Sequence, residues 1–293
     1  MYGWGYDTFW VGEYWVRHFT FDSLEDYLSY LQTAPTHAAF ERGNLASRAG
    51  SEEFTGTKSL EEALDLCRYG WHERFGELVA LVERVKRSLD VRIDPRRTFN
   101  DYVGFAPDVK AYLEGSPLTM VNKPPVNKPL VRIYLNTSYA GNEPRERIYA
   151  RGGITLAAAE VLELMGFMVD LRVFEMSFVD KDIHFSEYRL KMPDERVNLQ
   201  KLYFPLCHPS WVRRLNFRLL ETSPDMTDGW AGSYGIPAQT PMIRMAIDLE
   251  EGDILIPTIA EMKIEGVDVI ADARKLFEHI NVGLPQDKRL ILR

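Results

Sequence analysis

The chain has 293 residues, a formal net charge of −8, and 45% hydrophobic and 27% charged residues. That length buries a full core and suits one large or two modest domains, and the composition is that of an ordinary globular protein. The acidic balance excludes a generic nucleic-acid coat, which needs a basic surface, and no apolar run approaches the roughly 18–20 residues of a membrane span.

The first residues, MYGWGYDTFWVGEYWVRHF, are aromatic but carry no basic n-region and no small-residue cleavage site, so no signal peptide is expected. Residues 1–115 read as a mainly helical region. Ser23-Leu24-Glu25-Asp26 and Ser59-Leu60-Glu61-Glu62 both resemble helix starts, with a serine to cap a free N–H and an acidic residue three positions on. Leu24, Tyr27, Leu28 and Leu31 share one helical face, as do Leu60, Ala63, Leu64 and Cys67. Gly70 is placed to end the second helix, and Leu78, Leu81, Val82, Val85 and Leu89 mark a third. The stretch before Pro129 is proline-rich and holds two Asn-Lys-Pro tripeptides, so 116–129 reads as a linker.

Residues 130–293 read as an α/β domain. The apolar run Leu130 to Leu135 ends in the polar turn Asn136-Thr137-Ser138. A helix pattern, Gly166 as a stop and a second apolar run from Phe167 to Phe174 follow, which is a right-handed parallel βαβ unit. Leu199 to Leu206 and Asp253 to Ile259 are further strand candidates; Pro209 to Leu220 and Val269 to Ile280 read as helices. Residues 222–240, rich in Gly, Pro, Ser and Asp, form a loop too long for a simple connection. The expected fold class is a Rossmann-like sheet covered by helices.

Ligands bind open α/β sheets at the carboxyl ends of the strands, which directs attention to Asn136, Ser138 and Tyr139. Arg151-Gly152-Gly153, read as the start of the following helix, could cradle an anion or pack closely. Gly-x-Gly-x-x-Gly and Walker A patterns are absent. Ala231-Gly232-Ser233-Tyr234-Gly235 has the letters of a nucleophile elbow, but prolines flank it where a strand and a helix are required. Asp180, Asp182, His184 and Glu187 read as an acidic surface loop, with a metal site as the alternative. Cys207-His208 are neighbours that would point apart in a strand, so Cys67 and Cys207 read as reduced core thiols of a cytoplasmic protein. Arg213, Arg214 and Arg218 are expected to pair with Glu221 or other acids, or to meet an anionic partner.

The turn after the first strand of this domain resembles the metal-ion-dependent adhesion site of von Willebrand factor A domains, Asp-x-Ser-x-Ser. Ser138 matches the first serine, Asn136 stands in place of the aspartate and Ala140 in place of the second serine. A hard divalent cation wants anionic oxygens, so no metal and no cofactor is expected. Further features are Ser59 to Ala63 before Gly70-Trp71, the Arg151-Gly152-Gly153 helix, Gly166, His208-Pro209 before Arg213-Arg214 and Phe217, Glu221 and Tyr234-Gly235. Together they resemble a family of phage and prophage proteins that carry a domain of unknown function and look von Willebrand A-like. The resemblance implies phage origin and assigns no catalytic residues. The resulting expectation is a non-enzymatic protein that binds an unknown protein partner in the host cytoplasm. Asn136, Ser138, Tyr139, Arg151, Trp230 and Tyr234 are its expected binding residues. An enzyme or nucleotide-binding protein using the strand-end loops, and a virion structural protein, are the alternatives.

Overall fold

A computed structural model describes residues 3–40, 51–90, 99–103, 106–122, 128–224, 226–230 and 233–292. The described chain opens with a hairpin of β1 (Trp4–Val11) and β2 (Tyr14–Phe21), joined by a two-residue turn in which Gly12 takes φ +60°. A positive φ at the first turn position suits glycine and matches the strand twist. This hairpin departs from the mainly helical reading of 1–115. Its aromatic and β-branched residues favour a pleated strand, a signal that the serine caps further on do not carry.

The expected helices follow. α1 (Leu24–Thr33) starts where Ser23 accepts the Asp26 N–H at 3.2 Å. A short α2 (Glu52–Thr55) precedes α3 (Leu60–Tyr69), where Ser59 accepts the Glu62 N–H at 3.1 Å and Gly70, at φ +98°, ends the helix. α4 spans Phe75–Ser88. A small antiparallel sheet then forms from β3 (Phe99–Asp101), β4 (Ala106–Pro107) and β5 (Met120–Asn122), with α5 (Val109–Leu113) between the last two. Thus β5 occupies part of the 116–129 segment read as a linker; residues 123–127 lie outside the described residues.

The βαβ unit is β6 (Leu130–Asn136), α6 (Arg145–Leu164) and β7 (Met168–Val179), with β6 and β7 parallel. β8 (Asp182–Lys191) returns antiparallel to β7. α7 (Leu199–Cys207) leads to a π-helical segment, Trp211–Asn216, which runs into α8 (Phe217–Glu221). β9 (Ile236–Pro237), α9 (Thr240–Ala246), β10 (Ile254–Ile256), α10 (Ile259–Met262) and α11 (Val269–Ile280) complete the described elements.

Two corrections concern this half. Leu199 to Leu206 is α7, not a strand: Asn198 caps it by accepting the Lys201 N–H at 3.1 Å. A short apolar run does not distinguish a buried helix from a buried strand. Where an acidic surface loop is expected, β8 is a strand whose polar residues His184 and Ser186 face the interior.

The main sheet has the order β1-β2-β8-β7-β6-β10, with β9 paired to the end of β7. One face carries Phe19, Val131, Ile133, Leu135, Val169, Leu171 and Val173 into the larger core, shared with residues of α1, α3, α4, α6, α7 and α11. The other carries Val16, Tyr134, Phe174, Met176, Ile183 and Phe185 against Ile243 of α9. The hairpin and helices of 1–90 therefore share a sheet and a core with 130–293. Arginines cross-link them further. Arg213 donates to Phe54 O at 2.8 Å, Arg214 to Thr57 O at 2.7 Å and Arg218 to Ala34 O at 2.8 Å. Arg218 also stands 3.9 Å from Glu221.

Candidate functional site

The turn after β6 lies on the β7 side of the sheet's carboxyl end. Thr137 donates its N–H and its hydroxyl to Phe174 O, at 2.8 and 2.9 Å. Ser138 Oγ accepts the Met176 N–H at 2.9 Å and donates to Met176 O at 3.2 Å. Asn136 Oδ1 accepts the Ser138 N–H at 2.8 Å. The hydroxyl and amide oxygens of the turn are thus engaged in extending the strand pairing, and all three side chains are buried.

Arg151 is not at a helix start. α6 begins at Arg145, so Arg151 sits in its second turn, 1% exposed, and donates to Asn136 O at 2.6 Å. The adjacent glycines serve packing. A Cβ on Gly152 would overlap Leu206 O and stand 2.5 Å from Cys207 Sγ, and one on Gly153 would meet Leu81 at 2.7 Å. α6 thereby approaches α7 and α4 more closely than alanine would permit.

A chain of ring and guanidinium contacts links Tyr139 of this turn to Tyr234. Tyr139 donates to Pro209 O at 2.9 Å and lies under the Arg213 guanidinium, 5.2 Å from its ring centroid. Arg213 also covers Phe54, Phe54 stacks on Phe217, and Phe217 stacks on Tyr234 at 3.9 Å. Tyr234 donates to Glu221 Oε1 at 2.6 Å, and Trp230 packs where a side chain on Gly235 would stand. Asn136, Ser138, Tyr139, Arg151 and Trp230 are all buried, and Tyr234 is half-buried. The stack ties the 222–240 loop to α2 and α8, and the five buried residues present no side chain at the surface. Ala231 and Gly232 lie outside the described residues, and Ser233 follows a 3-10 turn, Asp228–Trp230, rather than a strand.

Inward of this turn lies a polar cluster in the larger core. Tyr27 of α1, Tyr188 of β8 and Trp211 of the π-helical segment interlock, with ring centroids 4.5, 5.3 and 5.1 Å apart. Tyr27 donates to Asn216 Oδ1 at 3.2 Å, and Tyr188 donates to the same oxygen. Glu175 of β7, opposite Ser186 of β8, faces them. Asn136 Nδ2, Arg151 Nε, Glu175 Oε1, Trp211 Nε1 and Asn216 Nδ2 are buried without a hydrogen-bond partner. Such concentration in one place is unusual, because buried polar atoms are normally paired.

Burial dominates the electrostatics. Desolvation pushes the Glu175 carboxyl up to about 8, against a smaller opposing pull from Arg151. Desolvation brings Arg151 down to about 10. It also raises Tyr27, Tyr188, Tyr139 and Cys207. His208, stacked on Phe204 at 4.8 Å, falls to about 3 for the same reason, so Cys207-His208 is a buried thiol beside a neutral imidazole. Asp182 pairs with Arg17, and His184 Nε2 lies 2.7 Å from Ser223 Oγ. Among the described residues no group of three His, Cys, Asp or Glu side chains could hold a metal ion.

Glu175, Tyr27, Tyr188, Trp211 and Asn216 escaped the sequence reading. One signal was available: Glu175 interrupts the inward apolar file Val169, Leu171, Val173, and a carboxyl in such a file demands an explanation.

The family model described as Domain of unknown function (DUF7192) matches residues 11–283, and the chain belongs to that family. No curated protein and no solved structure matches it.

Proposed function

We propose that this member of the family is a non-enzymatic protein-binding module that takes an extended segment of its partner onto β1 as an added strand. The observation that carries the reading is the edge itself. β1 stands at one end of the sheet order, and none of its residues is buried. Its sequence, WGYDTFWV, holds no proline, lysine or arginine, the usual devices that blunt an edge.

The ladder geometry says which groups a partner would meet. In a hairpin closed by a two-residue turn, alternate residues turn their backbone groups outward; here these are Trp4, Tyr6, Thr8 and Trp10. Two contacts agree: Trp15, opposite Trp10, turns its N–H away from β1 to Lys181 O at 2.8 Å, and the Thr8 N–H reaches the Asp7 carboxylate at 2.8 Å. Added strands bind through such main-chain groups, and exposed aromatic residues supply hot spots. Trp10 is 66% exposed. Asp7 at the edge and the net charge of −8 favour a cationic segment with apolar residues. Trp4 to Trp10 precede the matched span, so the edge is a property of this chain rather than of the family model.

A metal-free von Willebrand A-like sheet and a phage or mobile-element origin belong to the same proposal. What supports the first is the strand order. Counting from β6 and leaving out the short β9, β8-β7-β6-β10 runs 3-2-1-4, as in the first part of the doubly wound order, with β8 antiparallel to β7. Genomic neighbourhood tests the second.

Thr8→Pro tests the strand addition. It removes an outward N–H and leaves the β1–β2 ladder intact, as edge prolines do. Proteins co-purifying with the wild type should be lost from a Thr8→Pro variant of unchanged melting temperature. Equal recovery by both would remove β1 as the binding site.

A further inference from the structure

We propose that the interior cluster bounded by the turn after β6, by β7 and by the π-helical segment is a binding site for a small oxyanion, with Arg151 as its cation. The site is independent of the β1 edge.

The first argument is the donor set. Unpartnered atoms here include the donors Asn136 Nδ2, Arg151 Nε, Trp211 Nε1 and Asn216 Nδ2, the hydroxyl Ser186 Oγ, which can donate or accept, and the carboxyl oxygen Glu175 Oε1. Asn136 Oδ1 takes the Ser138 N–H, so its amide group is oriented by the backbone. Asn216 Oδ1 takes two tyrosine hydroxyls, which orients the second amide in the same way. An interior offering donors in excess is matched to an acceptor-rich guest.

The second argument is charge. Arg151 is almost fully enclosed, and among the described residues no carboxylate lies within ion-pair distance of it. A buried cation without a counter-charge is costly, and the Asn136 carbonyl offsets only part of that cost. Arg213 and Arg214 do not share the role, since they bind the carbonyls of Phe54, Glu143 and Thr57. Glu175 does not supply the counter-charge either. Burial keeps it protonated near neutral pH, and in that form it adds a donor.

The third argument is the backbone. Glu175 Oε1 is enclosed although the residue as a whole is only partly covered. Trp211 and Asn216 are the first and last residues of the π-helical segment. π-Helical turns are rare and concentrate at functional sites. Here the wider turn brings both side chains to the same tyrosine pair, Tyr27 and Tyr188.

The test uses the full chain, unfolded in guanidinium chloride and refolded with phosphate, sulfate or acetate, because an enclosed site fills on folding. Melting temperature is read at constant ionic strength against chloride, and anions released from the purified protein by acid are identified by ion chromatography. At least one of the three anions should raise the melting temperature saturably. The fitted dissociation constant should rise about tenfold in Trp211→Phe, the scale of one lost hydrogen bond to a charged group, and by more in Asn136→Asp. Both variants keep the packing: phenylalanine fills most of the indole's place, and aspartate still accepts the Ser138 N–H. If no anion stabilises beyond chloride and none is released, water satisfies these donors and the proposal is overturned. Equal stabilisation of the wild type and both variants overturns it as well.

Discussion

Replacing Glu175 by glutamine isolates the cost of burying a carboxyl. In the folded chain its pKa is about 8, against an ordinary value of 4.5, because desolvation outweighs the Arg151 charge. Between those two pH values the folded state holds a proton that the unfolded chain has released. Stability therefore falls as pH rises, by about 1.4 kcal/mol per unit. The loss begins near pH 4.5, is complete near 8, and amounts to ~5 kcal/mol at most. Histidines act with the opposite sign. His184 and His208 are lowered to about 3 and His18 to about 4, so they remove stability as pH falls below 6.5. They mask Glu175 at low pH in the wild type but cancel in the difference between the two proteins. The groups facing Glu175 are Arg151 of α6 and the phenols of Tyr27, Tyr188 and Tyr139, whose own shifts keep them un-ionised across this range. Urea unfolding of both proteins, from about pH 5 to about pH 9, measures the effect. Glu175→Gln should gain ~2 kcal/mol on the wild type between pH 6.5 and 8 alone. A difference that stays constant with pH would show Glu175 ionised in the fold, and the reasoning would fail.

Trp71 stacks on Tyr203 at 4.4 Å and meets His208 edge-on at 4.5 Å, so Trp71→Ala should cost roughly 3–5 kcal/mol in chemical denaturation. Gly152→Ala sets a methyl against the Leu206 carbonyl, which cannot rotate away, and should destabilise by about 1–3 kcal/mol; a neutral result would mean that α6 and α7 separate freely. Calorimetric titration with magnesium or manganese should show no micromolar binding, because Ser138 Oγ bridges Met176 N and O while Asn136 Oδ1 holds the Ser138 amide. Binding lost in Ser138→Ala would contradict this.

Local signals alone determined several features. The Ser23 and Ser59 caps, the stop at Gly70, the β6–α6–β7 unit and the final helix all rest on contacts within a few residues or on a long uniform period, and these read directly from sequence. Elements whose identity depends on what they pack against did not. α7 and a buried strand have the same apolar letters, and only Asn198 at its start and α6 beside it make it a helix. β8 looked like an acidic loop because His184 and Ser186 meet polar interior groups, which no pattern in β8 itself discloses. The same holds for the site. The carboxyl end of β6 was legible, because parallel strands gather their loops there. That Ser138 and Tyr139 point inward was decided by β7, through Met176, and by Pro209 and Arg213, which lie far away in the chain. Glu175, Arg151, Trp211 and Asn216 become one cluster only when β7, α6 and the π-helical segment pack together, and burial, a property of that packing, is what turns an ordinary carboxyl and guanidinium into perturbed ones.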